Sequence, residues 1–434
     1  MRWFLESLLV IAVLCQLLAP VLSHFGKDQL VIRVPIDYPA IQQAVDASVP
    51  GGTVVVFEGT YCEHLVVDKS LQLIGEGEHD TVLDGNGSGN AIVITADNVL
   101  VDGFSIRNAT SGICVRNASN CTINGNLVTE HGYCGIVLEN SNGTSVTNNL
   151  LTQCGTFIPG PMIYGGGIEL LNSSQNSVSS NTIVLASNVI VDLSLDNSSN
   201  NVIQNNTMTD TARLSQSHWN RIHHNNFVNN THEVDIQESF FNEWSNMGRG
   251  NYWSSYTGLD DGSNGRTAND GVGDTDLPHV GVDDYPLIVP YGPIPVVWEN
   301  EPFPVTITGN STISSPSFSQ AEKKIAFNVN GPNTSSVCNV TIPKTLLSGN
   351  PWTILLNGTD ITPQSTITET ETHTSIHFAS NTTITTQNVQ IIGTWVILEY
   401  PAPALVMLAL TIALFTVFCR KKRSNRSKQS QQKG

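Results

Sequence analysis

The sequence predicts an all-β chain: a parallel β-solenoid, then a β-sandwich-like domain, then one transmembrane helix. Three observations carry this. An aliphatic residue precedes an Asn by three positions again and again, at Ile123/Asn126, Val146/Asn149, Val178/Asn181, Ile203/Asn206 and Ile222/Asn225. The steps between these units are 23, 32, 25 and 19 residues; a recurring unit of roughly 20–50 residues marks a repeat architecture. Six residues ahead of each aliphatic anchor sits Asn117, Asn140, Asn172, Asn197 or Gln216. Just before those lie the pairs Ile113/Val115, Ile136/Leu138, Ile168/Leu170, Leu193/Leu195 and Ala212/Leu214. Alternation over so short a span reads as a strand with one buried face.

Each unit is therefore a short strand, an Asn turn, a second short strand with the Ile/Val anchor, and a second Asn turn. Coils of such a chain stack roughly 4.8 Å apart, so the same position in each coil lies over itself. Stacked Ile, Val and Leu fill the interior. Stacked Asn can bond along its column and tolerates left-handed backbone angles at the bends. The Asn columns are read as structural.

The elements follow in order. Residues 1–23 form a secretory signal, with Arg2, an apolar run from Leu8 to Leu22, and small residues at Val21 and Ser23. The β-helix spans 24–240. In "YPAIQQAVDASVPGGTVVVFEGTY", Ala40 to Ala47 is a short helix, because Ile41, Ala44 and Val45 are helically spaced. "PGGT" is a turn, "VVVF" a strand and "EGTY" another turn. Such a helix closes one end of a solenoid, which repeat proteins require. The 32-residue step contains "GTFIPGPMIYGG", a loop by its Gly and Pro content. Residues 241–292 form an aromatic and Asp/Gly-rich terminal cap, with Trp244, Tyr252, Trp253 and Tyr256 expected to plug the open end. Residues 293–394 hold short alternating strands bounded by Gly, Asn and Pro, a membrane-proximal β-sandwich. Residues 395–419 are read as a membrane span, with Trp395 and Tyr400 at the interface, and 420–434 as a basic cytoplasmic tail. The large N-terminal ectodomain then faces outside.

Composition agrees. Charged residues make up only 13 % and the formal net charge is −17, which argues against nucleic acid as a partner. Fourteen Asn-x-Ser/Thr sequons lie between Asn86 and Asn381, and Asn117, Asn172 and Asn197 belong to the turn column. Six cysteines fall outside the two apolar termini: Cys62, Cys114, Cys121, Cys134, Cys154 and Cys338. Their pairing is open. His131 and Cys134 in "HGYCG" are a weak metal pattern, and buried cysteines are the commoner reading.

The Tyr38–Gly75 stretch, together with the Asn-x-Ile-x-x-Asn coils, resembles proteins of the pectin-lyase-like superfamily, most nearly the NosD-type repeat. "GNYWSSYTGLDDGSNGRTANDGVGDTDLPHVGVDDYPLI" resembles the segment that ends such β-helices in archaeal surface proteins. The resemblance implies a right-handed helix and an association with carbohydrate binding or sugar hydrolysis. The NosD name implies copper delivery.

Two outward columns are candidates for a site. One is Cys114, Val137, Glu169, Ser194 and Arg213; the next is Arg116, Glu139, Leu171, Asp196 and Ser215. Arg116 and Glu139 fall within ion-pair reach on adjacent coils. Arg116, Glu139, Glu169, Asp196 and Arg213 together would make a sugar-binding face; otherwise they are a solvated one. Glycosidases need two carboxyls roughly 5–10 Å apart, and the columns hold few acids. Only "EHG" at Glu130–Gly132 and "RIH" at Arg221–His223 approach hydrolase motifs. In the cap, Asp260, Asp261, Asn264, Asp270 and Asp274 make an oxygen-rich, Gly-rich loop of the kind that suits calcium, though not with EF-hand spacing. His64, His79, His131, His218, His223, His224 and His232 are scattered, with no soft-ligand cluster for copper. The sequence thus favours a surface-anchored protein that binds an extracellular polysaccharide or envelope glycan, or serves as an adhesion or envelope component, without catalysis. The alternatives are a surface polysaccharide lyase or glycoside hydrolase, and copper handling.

Overall fold

The structure, a computed structural model, describes residues 31–155, 166–185, 191–230, 233–298, 301–330, 336–380 and 386–397. The expected signal peptide lies outside the described residues, as does the expected span from residue 398 onward. Among the described residues no helix is long and apolar enough to cross a membrane.

Residues 31–253 wind into a right-handed parallel β-helix of about nine turns. Three parallel sheets form its walls. The first has nine strands, from Val31–Val34 to Arg221–His223; the second has nine, from Gly59–Tyr61 to Tyr252–Trp253; the third has eight, from Leu65–Val67 to Val234–Gln237. The expected register holds. Ile123, Val146, Val178, Ile203 and Ile222 are successive partners in the first sheet. Ile113, Ile136, Ile168, Leu193 and Ala212 are partners in the third, as are Val115, Leu138, Leu170, Leu195 and Leu214. All of them lie in one continuous apolar core. Each coil also has a strand in the second sheet, such as Leu127–Thr129 and Leu150–Thr152, which the aliphatic–Asn spacing does not announce. "EGTY" differs from expectation: Gly59–Tyr61 is a strand, held by pairing with Thr81–Leu83.

The bends explain the asparagines. The second Asn of each unit is buried, and its Oδ1 accepts the backbone N–H of its counterpart one coil earlier. The ladder runs from Asn126 to Asn149 (3.1 Å), Asn181 (3.0 Å), Asn206 (2.9 Å), Asn225 (3.0 Å) and Asn251 (3.1 Å). Each Nδ2 donates back to a backbone carbonyl, as Asn206 does to Val178 O at 2.9 Å. A bend cannot complete a sheet ladder, so these side chains satisfy backbone groups that would otherwise be stranded in the core. A parallel ladder of Ser173, Ser198, Ser217 and Ser239 and another of Asn176, Asn201, Asn220 and Asn242 do the same at the next corner. Asn117, Asn140, Asn172, Asn197 and Gln216 are exposed and have φ between 47° and 51°, the left-handed angles that Asn tolerates best among residues with a side chain.

Both ends are closed. A short helix, α1 (Ile41–Ala47), lays Ile41, Ala44 and Val45 on the first coils. Its first amides lack a local cap and are held by Glu63, at 2.8 Å from Ile41 N and 2.9 Å from Gln42 N. At the other end Trp253 stacks on Phe227 with centroids 4.0 Å apart. Trp244, Tyr252, Trp253 and Tyr256 are all buried, so the expected plug is formed.

From Ile294 onward two five-stranded antiparallel sheets enclose a second core that includes Phe327, Val340, Ile376 and Ile391. A short final strand, Trp395–Val396, pairs with Leu347–Ser348. Those first two residues of the expected span therefore belong to a sheet. The two cores are tied at the cap, where Ile313 N donates to Ile288 O at 2.7 Å and Thr312 Oγ1 to Gly258 O at 2.6 Å.

Candidate functional site

The five residues expected to form one face are separated into two levels. Arg116 and Glu139 are at the surface and paired at 2.6 Å, and Asp196 is half-buried in the same column two coils beyond Glu139, with Leu171 between them. Glu169 and Arg213 lie beneath, 3 % and 6 % exposed. Cys114, Val137 and Ser194 are likewise buried, so that column is not solvated as expected. Tyr133, from the turn before Cys134–Glu139, folds across it and donates its hydroxyl to Glu169 Oε1 and Oε2 at 3.3 and 3.1 Å. Burial raises the Glu169 pKa to about 7 against the opposing pull of that hydrogen bond. Arg213 reaches the edge of the column, 3.4 Å from Asp235.

One accessible edge of the solenoid is the corner between the third and first sheets. Along it, exposed amides bond from coil to coil: Asn140 Nδ2 to Asn117 Oδ1 at 3.2 Å and Asn197 Nδ2 to Asn172 Oδ1 at 2.7 Å. The next column passes from Asn142 to Ser174 to Ser199 to His218, each accepting a backbone N–H from the adjacent coil. It ends where Phe240 N donates to His218 Nδ1 at 3.0 Å.

In the last two coils the small polar residues give way to rings. Trp219 and Phe241 stack with centroids 4.5 Å apart and planes 15° apart, and His218 and Phe240 stack beside them at 5.7 Å and 8°. The sequence reading missed this pair. The signal was present: Trp219 continues the column of Asn120, Gly143, Gln175 and Asn200, all with positive φ.

The acidic loop of the cap is tied largely by its own backbone. Asp260 accepts the N–H of Asn269 (2.5 Å) and Gly271 (2.8 Å), Asp261 that of Ser263 (2.9 Å), Asp270 that of Val272 (3.0 Å), and Asp274 that of Gly262 (2.6 Å). Asn264 Nδ2 donates to Asp274 O at 2.6 Å. Among the described residues no three His, Cys, Asp or Glu side chains converge on one point. His131 is buried with Nε2 3.1 Å from Ile106 O, and burial pulls its pKa down to about 4. All six described cysteines are free thiols. A cleft of about 520 Å³ opens between the solenoid and the distal sheets, lined by Asn205, Asn226, Tyr291 and several prolines.

A capped solenoid of this kind is a right-handed parallel β-helix, with a repetitive polar edge turned outward. Residues 45–258 match the family model described as periplasmic copper-binding protein (NosD). A cell surface glycoprotein of Methanothermus fervidus is 33 % identical over 94 residues; that stretch is 21 % of this chain and 16 % of the relative. Among solved structures, the surface adhesin PfbA of Streptococcus pneumoniae covers 51 % of this chain and 71 % of its own, at 16 % identity and a TM-score of 0.41. An alginate lyase from Paenibacillus sp. covers 51 % and 97 %, at 15 % identity and 0.38.

Proposed function

We propose that this chain is a surface-anchored β-helix that binds an extracellular polysaccharide or envelope glycan and does not cleave it. The observation that carries the reading is the in-register polar corner. Amides and hydroxyls recur there at coil spacing on a rigid axis, with the Arg116–Glu139 pair beside them. An extended polymer with regularly spaced hydroxyls can meet such a row without distorting it, and the rigid partner loses little conformational entropy on binding. The acids argue for binding over chemistry. Glu139 is engaged by Arg116, and Glu169 is enclosed under Tyr133. The relative named a cell surface glycoprotein supports a surface location.

Glycan-array binding by the full-length chain, followed by product analysis on each bound polysaccharide, tests this. Binding with intact product is expected. New reducing ends or unsaturated uronates, lost on replacing Glu139, Glu169 or Asp196, would make it a hydrolase or lyase. No binding to any glycan would leave an envelope component with a structural role. Calcium is a separate proposal for Asp260, Asp270 and Asp274. It expects a higher melting temperature in calcium than in chelator, since a ligand selective for the folded state raises stability; superimposed curves would remove it.

A further inference from the structure

We infer that the last two coils carry a stacking platform for a neutral pyranose, built from Trp219 and Phe241 with His218 and Phe240 beside them. The inference rests on the glycan-binding reading and gives it a location and a sugar class.

The first argument is exposure without packing. Trp219 is 59 % exposed, Phe240 59 % and Phe241 67 %. Four rings in two stacks at one corner are not core, whereas the nearby Trp253 and Tyr256 are.

The second is backbone conformation. Trp219 and Phe241 have φ of 58° and 59°, which bulky side chains adopt only at a cost. In earlier coils the same position holds Asn120, Gly143, Gln175 and Asn200. Asn or Gly would suit the bend better, so the rings are not there for the sake of the turn.

The third is what flanks the rings. On one side Gln216 Nε2 donates to Glu238 at 3.1 Å; on the other, Arg221 and Glu243 lie 3.8 Å apart, both largely exposed. His218 Nδ1 accepts from Phe240 N, so the neutral ring carries its proton on Nε2 and offers a donor. Apolar faces bordered on both sides by donors and acceptors match a pyranose, whose C–H face packs on a ring while its equatorial hydroxyls reach sideways. An apolar protein surface would leave Arg221 and Glu243 desolvated and badly paired. An anionic lipid surface would call for cations, not Glu238 and Glu243. The same two carboxylates, on a chain of net charge −17, disfavour uronates.

The test uses the full-length chain in a non-glycosidic detergent, with immobilised neutral hexopyranosyl oligosaccharides and uronate oligomers as probes. Trp219→Asn, Phe241→Asn and the double variant are compared with the parent, and Tyr291→Ala serves as the probe of the interdomain cleft. The parent is expected to prefer neutral oligosaccharides. The double variant should lose about tenfold or more in affinity while melting no lower than the parent, because Asn relieves the left-handed bend. Undiminished binding by the double variant would overturn the platform and leave the glycan reading intact. So would loss through Tyr291→Ala alone, a preference for uronates, or a parent dimer that the double variant dissociates. Failure of the parent to bind any glycan would overturn both.

Discussion

Asn251, the last rung of the buried Asn ladder, donates its backbone N–H to Asp283 Oδ2 at 2.8 Å and its Nδ2 to the same oxygen at 3.3 Å. Trp253 Nε1 donates to that oxygen at 2.9 Å, and Tyr285 N to Oδ1 at 2.9 Å. A solenoid ladder must end somewhere, and the final N–H has no next coil to meet. A carboxylate ends it because it only accepts. Asp283→Asn would turn an NH₂ toward donors on one side. We expect a loss of about 1–3 kcal/mol, read by chemical denaturation; parent-like stability would show that the cap does not terminate the ladder.

Buried and exposed asparagines of the repeat should differ in weight. Asn181 accepts from Asn149 N at 3.0 Å and donates to Val146 O at 2.9 Å. Asn181→Ala strands both groups in the core, at about 1–3 kcal/mol for each. Asn140, at φ 50° on the surface, is replaceable by Gly within about 0.5 kcal/mol. Equal losses at the two positions, measured by thermal melts, would contradict the division.

Ile203 is fully buried between Val178 and Ile222. Ile203→Asp puts an unpaired charge into the stack, where it cannot be solvated. Neighbouring coils should unfold, with loss of the cooperative transition in circular dichroism. A variant that melts like the parent would mean that the register is wrong.

Glu169 makes stability depend on pH with a definite sign. Its folded pKa is raised from 4.5 to about 7. Below about pH 4.5 both states are protonated and there is no penalty. Between about 4.5 and 7 the unfolded chain releases this proton first, so stability falls as pH rises and then levels off. Glu169→Gln should flatten that slope and gain up to about 3 kcal/mol at pH 8, the upper bound set by the shift. An unchanged pH profile would show that the carboxylate is already solvated.

Much of this was legible in the residues. The coil register is local periodicity repeated, and parallel stacking leaves it little freedom: a one-residue slip would turn Ile203 and its column outward. The Arg116–Glu139 pair followed from the same register, and the aromatic plug from the cluster of Trp and Tyr just past the last repeat unit. Which side of a strand meets water did not. Period two says that Glu169 faces away from the solenoid core, but not that Tyr133, thirty-six residues earlier, covers it. Nor could the strand order reveal that Asp283 would stand in for a missing Asn, because Asp283 lies in an irregular cap whose path obeys no repeat. The sequence alone determined what depends on near-neighbour coils: the fold, its register and its Asn bends. The tertiary structure decided what depends on contacts the repeat does not specify: the burial of Glu169 under the Tyr133 turn, the burial of Arg213, and the end of the ladder at Asp283 in the irregular cap. Such contacts are set by packing between residues distant in sequence, which no local spacing encodes.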